Sequence, residues 1–334
     1  MSDPGTSSGA TRRALITGAA GQDGSYLAEL LVAKGYTVDG IVASDPQGER
    51  PTLAAVRDRI TLHDTDLSNA AAVSEMIARL RPDEVYNLAA PSVVGASWGN
   101  PPATVGLMVG SVVNLLDAMA THTPEARYFQ AASSEIFRGT GTSPQNENTR
   151  PAPTSPYGVA KLAGHNLVAA YREHHGLHAS SGILYNHESP RRPIDFVPAK
   201  IVNGAVQIKL GKQSELVLGD LTAKRDWSFA GDFVAAMWQM LQQDQPGDYV
   251  LASGVQHTVS DLVNTAFGIV GLDPADYVRS DPNLVRKHDE ADLVGDPSRI
   301  AERVGWRAST GFEELVQIMV DGFMAKAEAG QMTA

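Results

Sequence analysis

The stretch Thr17-Gly18-Ala19-Ala20-Gly21-Gln22-Asp23-Gly24 constrains this chain more than any other. It stands between the apolar run ALIT and the segment SYLAELLVAKG, in which Leu27, Leu30 and Leu31 fall on one helical face before Gly35. Three glycines at this spacing, between a strand and a helix, have separate tasks. Gly18 permits the tight turn, Gly21 lets backbone amides approach a diphosphate, and Gly24 lets the helix pack close to the strand. The helix N-terminus adds positive potential. The turn therefore reads as the opening of a doubly wound α/β sheet that binds a dinucleotide.

The rest of the chain repeats that rhythm. TVDGIVAS, ITLHDTD, EVYNLAA, RYFQAASS and ASSGILYN are strand-like runs separated by helix-length segments such as AAVSEMIARL and VVNLLDAMA, which implies right-handed crossovers and a parallel sheet. After about Asn186, Pro190, Pro193 and Pro198 break the pattern and a smaller α/β lobe is expected. The expected organisation is a tail over 1–11 and a dinucleotide-binding domain over 12–186 with a returning segment near 230–255, which contains YVLASG. A substrate lobe is expected over 187–229 and 256–330.

Composition excludes several chemistries. The chain has no cysteine, so disulfides, thiolate nucleophiles and thiolate metal sites are out. A net charge of −11 argues against a nonspecific grip on nucleic acid or an anionic membrane, so an acidic ligand needs a local arginine cluster. No run reaches the ~18 uninterrupted apolar residues of a spanning helix. MSDPGTSSGAT lacks an apolar signal segment, and the expectation is a frayed tail on a cytoplasmic protein. His174, His175 and His178 flank Gly176 and fit a helix end better than a metal site.

Two further constellations carry chemistry. Tyr157 and Lys161 stand four apart on one face of a helix that follows Pro156, where an ammonium can lower a phenol's pKa and hold a nicotinamide ribose. Ser133, Ser134 and Glu135 end a strand. Asp66-Leu67 closes the third strand pattern, where Asp66 contacts an adenine edge or caps a helix.

Taken together, these motifs resemble the Ser/Thr–Tyr–Lys centre of the extended short-chain dehydrogenase/reductase superfamily, which also contains epimerases and decarboxylases. Within it the chain is most similar to GDP-mannose 4,6-dehydratases, through ALITGAAGQDGSYLAELL, FQAASSEIF, SPYGVAKL, GILYNHESPRR, KRDWSFAGDF and LVGDPSRIAERVGWR. The resemblance implies that Ser133 bonds the sugar's 4-hydroxyl, Tyr157 removes its proton with help from Lys161, and Glu135 abstracts the proton at carbon 5. A hydride passes from carbon 4 to the cofactor and back to carbon 6. Cofactor positions implied are Gly18, Gly21, Gln22, Asp23, Gly24, Asp45, Asp66, Leu67, Leu88, Ala89, Ala90, Ser92, Tyr157, Lys161, His187 and Arg192. Substrate positions implied are Ser92, Ser134, Asn186, Glu188, Lys200, Arg225, Arg286 and Asp289. Alone, His187 reads as a structural histidine; in the motif context the structural and cofactor readings stand level.

Departures from the family pattern cluster around the two ligands. Consecutive arginines that grip the 2′-phosphate of NADP are replaced by Val42-Ala43-Ser44-Asp45, which favours NAD, with Arg50 as a cation able to fold back. Pro91-Ser92-Val93-Val94 and Ala103 make the pocket less polar, and Arg286-Lys287-His288-Asp289 shortens a carboxylate. A sugar-nucleotide 4-epimerase or decarboxylase, or a catalytically silent binding homologue, are the alternative readings. The helix containing VVNLLDAMA and the helix starting at Tyr157 are expected to pair with a second copy in a four-helix homodimer.

Overall fold

The structure is a computed structural model and describes residues 11–43, 48–284 and 292–330. Asp45, Arg286 and Asp289, and the tail over 1–10, lie outside the described residues.

β1 (Arg13–Thr17) buries Ala14, Leu15 and Ile16 completely, as a parallel strand covered on both faces requires. After it come α1 (Gln22–Ala33), β2 (Thr37–Val42), β3 (Ile60–Asp64), α2 (Ala70–Leu80), β4 (Glu84–Asn87), α3 (Pro101–His122), β5 (Arg127–Ala131), α4 (Pro156–His175) and β6 (His178–Leu184). The second half comprises β7 (Asn186–Glu188), α5 (Val197–Lys209), β8 (Leu216–Leu218), β9 (Lys224–Phe229), α6 (Ala230–Leu241) and β10 (Asp248–Leu251). It continues through β11 (Gln256–Thr258), α7 (Val259–Ile269), α8 (Pro274–Tyr277), β12 (Val278–Ser280), α9 (Ser298–Arg303) and α10 (Phe312–Glu328).

Seven strands form one parallel sheet in the order β10-β6-β5-β4-β1-β2-β3. This is the doubly wound α/β fold expected from the sequence. α1 and α6 pack together on one face, and α2, α3 and α4 stand side by side on the other. Each face has its own core, with Leu27, Leu31, Phe233 and Met237 in one and Ile77, Leu115, Leu116 and Val168 in the other. The Met237 and Met240 side chains are fully buried, consistent with core packing. α3 is long and apolar enough to cross a membrane by length and composition alone. It lies between α2 and α4 on the sheet, and 39% of its most apolar window is buried there.

Local chemistry sets the ends of the helix that carries Tyr157. Pro156 occupies its first turn, and Ser155 Oγ accepts a hydrogen bond from the Gly158 amide at 3.0 Å. It stops at Gly176, whose φ of 67° is the left-handed conformation that favours glycine.

The second lobe has a separate core from α5, α7 and α10, centred on Val202, Phe267 and Met319. Its small sheets are β11-β9-β7 and β12-β8. Asp226 on β9 joins lobe to sheet. It is buried and accepts hydrogen bonds from Ser253 N (2.9 Å), Ser253 Oγ (2.6 Å), Gly254 N (3.0 Å) and Gly295 N (3.2 Å). Burial pushes its carboxyl above the usual range, although these donors favour the ionised form.

Candidate active site

The strand order reverses between β1 and β4, and such a switch point opens a crevice at the carboxyl ends of the strands. A buried polar ladder underlies it. Thr17 Oγ1 donates to Asn87 Oδ1 (2.7 Å) and accepts from the amides of Leu88 and Ala89 (3.0 Å each). Asn87 Nδ2 continues to Gln130 Oε1 at 3.0 Å, and Gln130 Nε2 reaches Ala131 O at 3.2 Å. Lys161 Nζ donates to that same Ala131 O at 2.8 Å. Sequential bonds of this kind fix the three strand ends relative to one another.

The glycine turn leaves room for a diphosphate. A Cβ on Gly24 would stand 2.3 Å from Gly18 O, and Gly18 has φ +69°, so neither position accepts another side chain without displacing backbone. No side chain caps α1, which leaves its first-turn amides directed at the crevice. These features fit a dinucleotide cofactor. Gln22 and Asp23 turn toward the second lobe instead. Gln22 Nε2 donates to His187 O (3.0 Å) and its Oε1 accepts from Ser189 Oγ (2.9 Å).

Asp23 Oδ2 lies 2.9 Å from His187 Nε2, while His187 Nδ1 lies 2.7 Å from Tyr185 O. Both partners are acceptors, so the ring makes both bonds only as an imidazolium. Burial opposes that charge, but the carboxylate and its hydrogen bond outweigh it and hold the imidazole above its ordinary pKa. Burial likewise opposes the charge on Asp23, and the imidazolium keeps that carboxyl below its ordinary value. Phe233 stacks on the ring at 4.6 Å.

A cleft of about 200 Å³ collects Asp23, Leu88, Ala90, Ser92, Ser133, Ser134, Glu135, Tyr157, Lys161, Asn186, His187, Arg192 and Arg225 on its walls. Ser133 lines the cleft with Tyr157 and accepts from the Glu135 amide at 3.2 Å. The expectation that Lys161 lowers the phenol's pKa needs correction. Burial pushes Tyr157 up to about 12, with the Ser133 hydroxyl and the Arg192 charge pulling it down. Lys161 sits 5.6 Å from the ring centroid, and burial draws it down to about 8 against the field of Asp23. Gly158 enables the close approach of α4 to the serine–glutamate turn, since a Cβ there would lie 2.9 Å from Glu135 O.

A second pocket of about 300 Å³ continues from the first through Asn186, Asp195, Phe196 and Arg225, and is lined also by Glu188, Lys200 and Trp227. Glu188 is buried, 3.1 Å from Arg192 Nε. Burial raises its carboxyl despite the cation. Arg192 stacks on Phe196 at 3.7 Å, and Lys200 Nζ donates to Val217 O at 2.8 Å.

Other positions lie apart from these pockets. Gly18, Gly21 and Ala89 belong to the turn and strand end behind the cleft, and Leu67 is buried with its carbonyl accepting from Asn114 Nδ2 (2.9 Å). Asp66 closes its own turn by accepting from Ser68 N (2.9 Å) and Ser68 Oγ (2.7 Å). Asn69, not Asp66, caps α2. Arg138, Asp195 and Phe196 line the cleft although the sequence pattern did not single them out. Arg138 follows Glu135 by three residues, the one signal that linked it to the site. No group of three or more metal-ligating side chains occurs among the described residues.

A family model described as GDP-mannose 4,6 dehydratase matches residues 15–319. The GDP-mannose 4,6 dehydratase 2 of Arabidopsis thaliana is 43% identical over 320 residues, covering 92% of this chain and 86% of that protein. The GDP-mannose 4,6-dehydratase of Yersinia enterocolitica is 36% identical, covering 95% of each. Among solved structures, the dTDP-glucose 4,6-dehydratase of Bacillus anthracis in complex with NAD superposes with a TM-score of 0.82 at 20% identity, over 95% of this chain and 98% of that one.

Proposed function

The chain belongs to the GDP-mannose 4,6-dehydratase family, and we propose that it removes water from GDP-mannose to give GDP-4-keto-6-deoxymannose. The observation that carries this reading is the convergence of Ser133, Glu135, Tyr157 and Lys161 on one cleft that opens through Asn186 and Arg225 into a second pocket. When bound, the nicotinamide cofactor accepts the hydride of carbon 4 and returns it at carbon 6.

The chain's own residues handle protons and orientation. Tyr157 removes the proton of the 4-hydroxyl, with the Ser133 hydroxyl on the same cleft wall and the Arg192 charge easing its ionisation. Lys161, anchored on Ala131 O, places positive charge beside the ring. The new ketone acidifies carbon 5. Glu135 takes that proton and delivers it to the departing 6-hydroxyl, so that water leaves; a proton restored to carbon 5 completes the product. Arg225, Asn186 and Lys200 hold the sugar nucleotide, the guanidinium pairing with diphosphate oxygens. Gly18, Gly21, Gly24 and the first turn of α1 hold the cofactor diphosphate.

NAD is the preferred cofactor in this reading, since no pair of arginines follows β2. Arg50 does reach back, with Nη2 3.4 Å from Ala43 O, and so leaves NADP usable. The unit is a homodimer through α3 and α4. α3 is strongly apolar, yet only 39% of its most apolar window is buried within one subunit, and Leu107 and Val159 are 41% and 48% exposed.

Glu135→Gln should bind cofactor normally and lose dehydration by at least about 100-fold, the scale of a general acid–base group; an active variant would refute the assignment. Titration should show NAD binding at least as tightly as NADP, because an unpaired 2′-phosphate forfeits roughly 1–3 kcal/mol per charged hydrogen bond; a preference for NADP beyond about tenfold, or about 1.4 kcal/mol, contradicts this. Light scattering at micromolar concentration should give a dimer; a monomer overturns the proposed contact, and a stable tetramer shows that the loop after β2 still makes a second interface.

A further inference from the structure

Glu135 lies in a four-residue 3₁₀ turn, Ser134–Phe137, that Arg138 closes. Side chains three apart eclipse one another in that geometry, which places the guanidinium over the carboxylate. Arg138 Nε donates to Glu135 Oε2 at 3.3 Å and Nη2 donates to Oε1. One planar fork therefore engages both oxygens, the arrangement that adds direction as well as attraction. The two side chains are only 14% and 12% exposed, and both line the cleft beside Ser133 and Tyr157.

The backbone beneath the pair is braced. Ala152 N donates to Ile136 O at 2.7 Å, and Gly139 N donates to Ala152 O at 2.8 Å. Arg138 thus starts from a fixed Cα, and its fork limits the rotations of the glutamate side chain. We propose that Arg138 is a positioning residue that aims the Glu135 carboxylate at carbon 5 and the leaving hydroxyl, an inference that rests on the dehydratase reading. Proton transfer requires hydrogen-bond reach in the reacting geometry, so a carboxylate free to swing would spend much of its time unproductive.

Arg138→Gln and Arg138→Lys test this with GDP-mannose and saturating cofactor. Arg138→Gln should remain folded at the assay temperature, with a lowered melting temperature because Glu135 loses its partner, and lower kcat by roughly 100-fold, the cost of a misplacement of about 1 Å, while KM stays within about threefold. Arg138→Lys should recover part of the loss. Slowing elimination without slowing carbon-4 oxidation should let reduced nicotinamide accumulate in the steady state, visible by its near-ultraviolet absorbance. Glu135→Gln/Arg138→Gln should be no slower than Glu135→Gln alone, because the arginine acts through the glutamate. A kcat within about twofold of wild type overturns the proposal, and so does a raised KM at unchanged kcat, which would make Arg138 a substrate contact. If the wild-type protein fails to dehydrate GDP-mannose, the functional reading falls and this inference with it; a normal wild type with an active Arg138→Gln removes the inference alone.

Discussion

The close approach of α1 to the turn before it governs the rest of the site. Gly18 O occupies the place where a Cβ of residue 24 would go, so the helix descends onto the strand end only because both positions are glycine. Its first turn then serves two purposes. The amides face the crevice, and the side chains of Gln22 and Asp23 reach the chain at His187 and Ser189. A residue larger than glycine at position 24 would displace the turn and, in the same movement, the contacts of Gln22 and Asp23 with His187 and Ser189.

The sequence conveyed the architecture well because the architecture depends on short-range patterns. ALIT, TVDGIV, EVYN and RYFQA bury side chains on both faces, which is what central parallel strands need, and the glycine turn after the first of them gives the winding. Several side chains proposed for the cleft were also legible, Ser133 and Glu135 just past the carboxyl end of β5 and Tyr157 and Lys161 in the first turns of α4. What escaped depends on meetings between distant segments. Asp226 is a clamp only because Ser253, Gly254 and Gly295 bring donors to it. The phenol of Tyr157 rises to about 12 through burial, a quantity that the four-residue spacing to Lys161 does not contain. Arg138 is close to Glu135 in sequence, but the turn geometry that superimposes them is visible only in three dimensions.

Three pairs of opposite charge stand in and around the cleft. Glu135 faces Arg138, Glu188 faces Arg192, and Asp23 faces His187. In a chain of net charge −11, such pairing keeps cations at the site without leaving isolated buried charges. The three pairs also occupy distinct places: the Asp23–His187 pair ties the first turn of α1 to β7, and the Glu188–Arg192 and Glu135–Arg138 pairs stand on other walls.

The central claim is that this cleft eliminates water between carbons 5 and 6 after oxidation at carbon 4. GDP-mannose carrying deuterium at carbon 4, converted by the protein and analysed by nuclear magnetic resonance, tests it most directly. The account predicts a 4-keto-6-deoxy sugar with the deuterium at carbon 6. Deuterium retained at carbon 4 of an epimerised hexose, or a hexose recovered unchanged under conditions where cofactor and substrate are both bound, would contradict it.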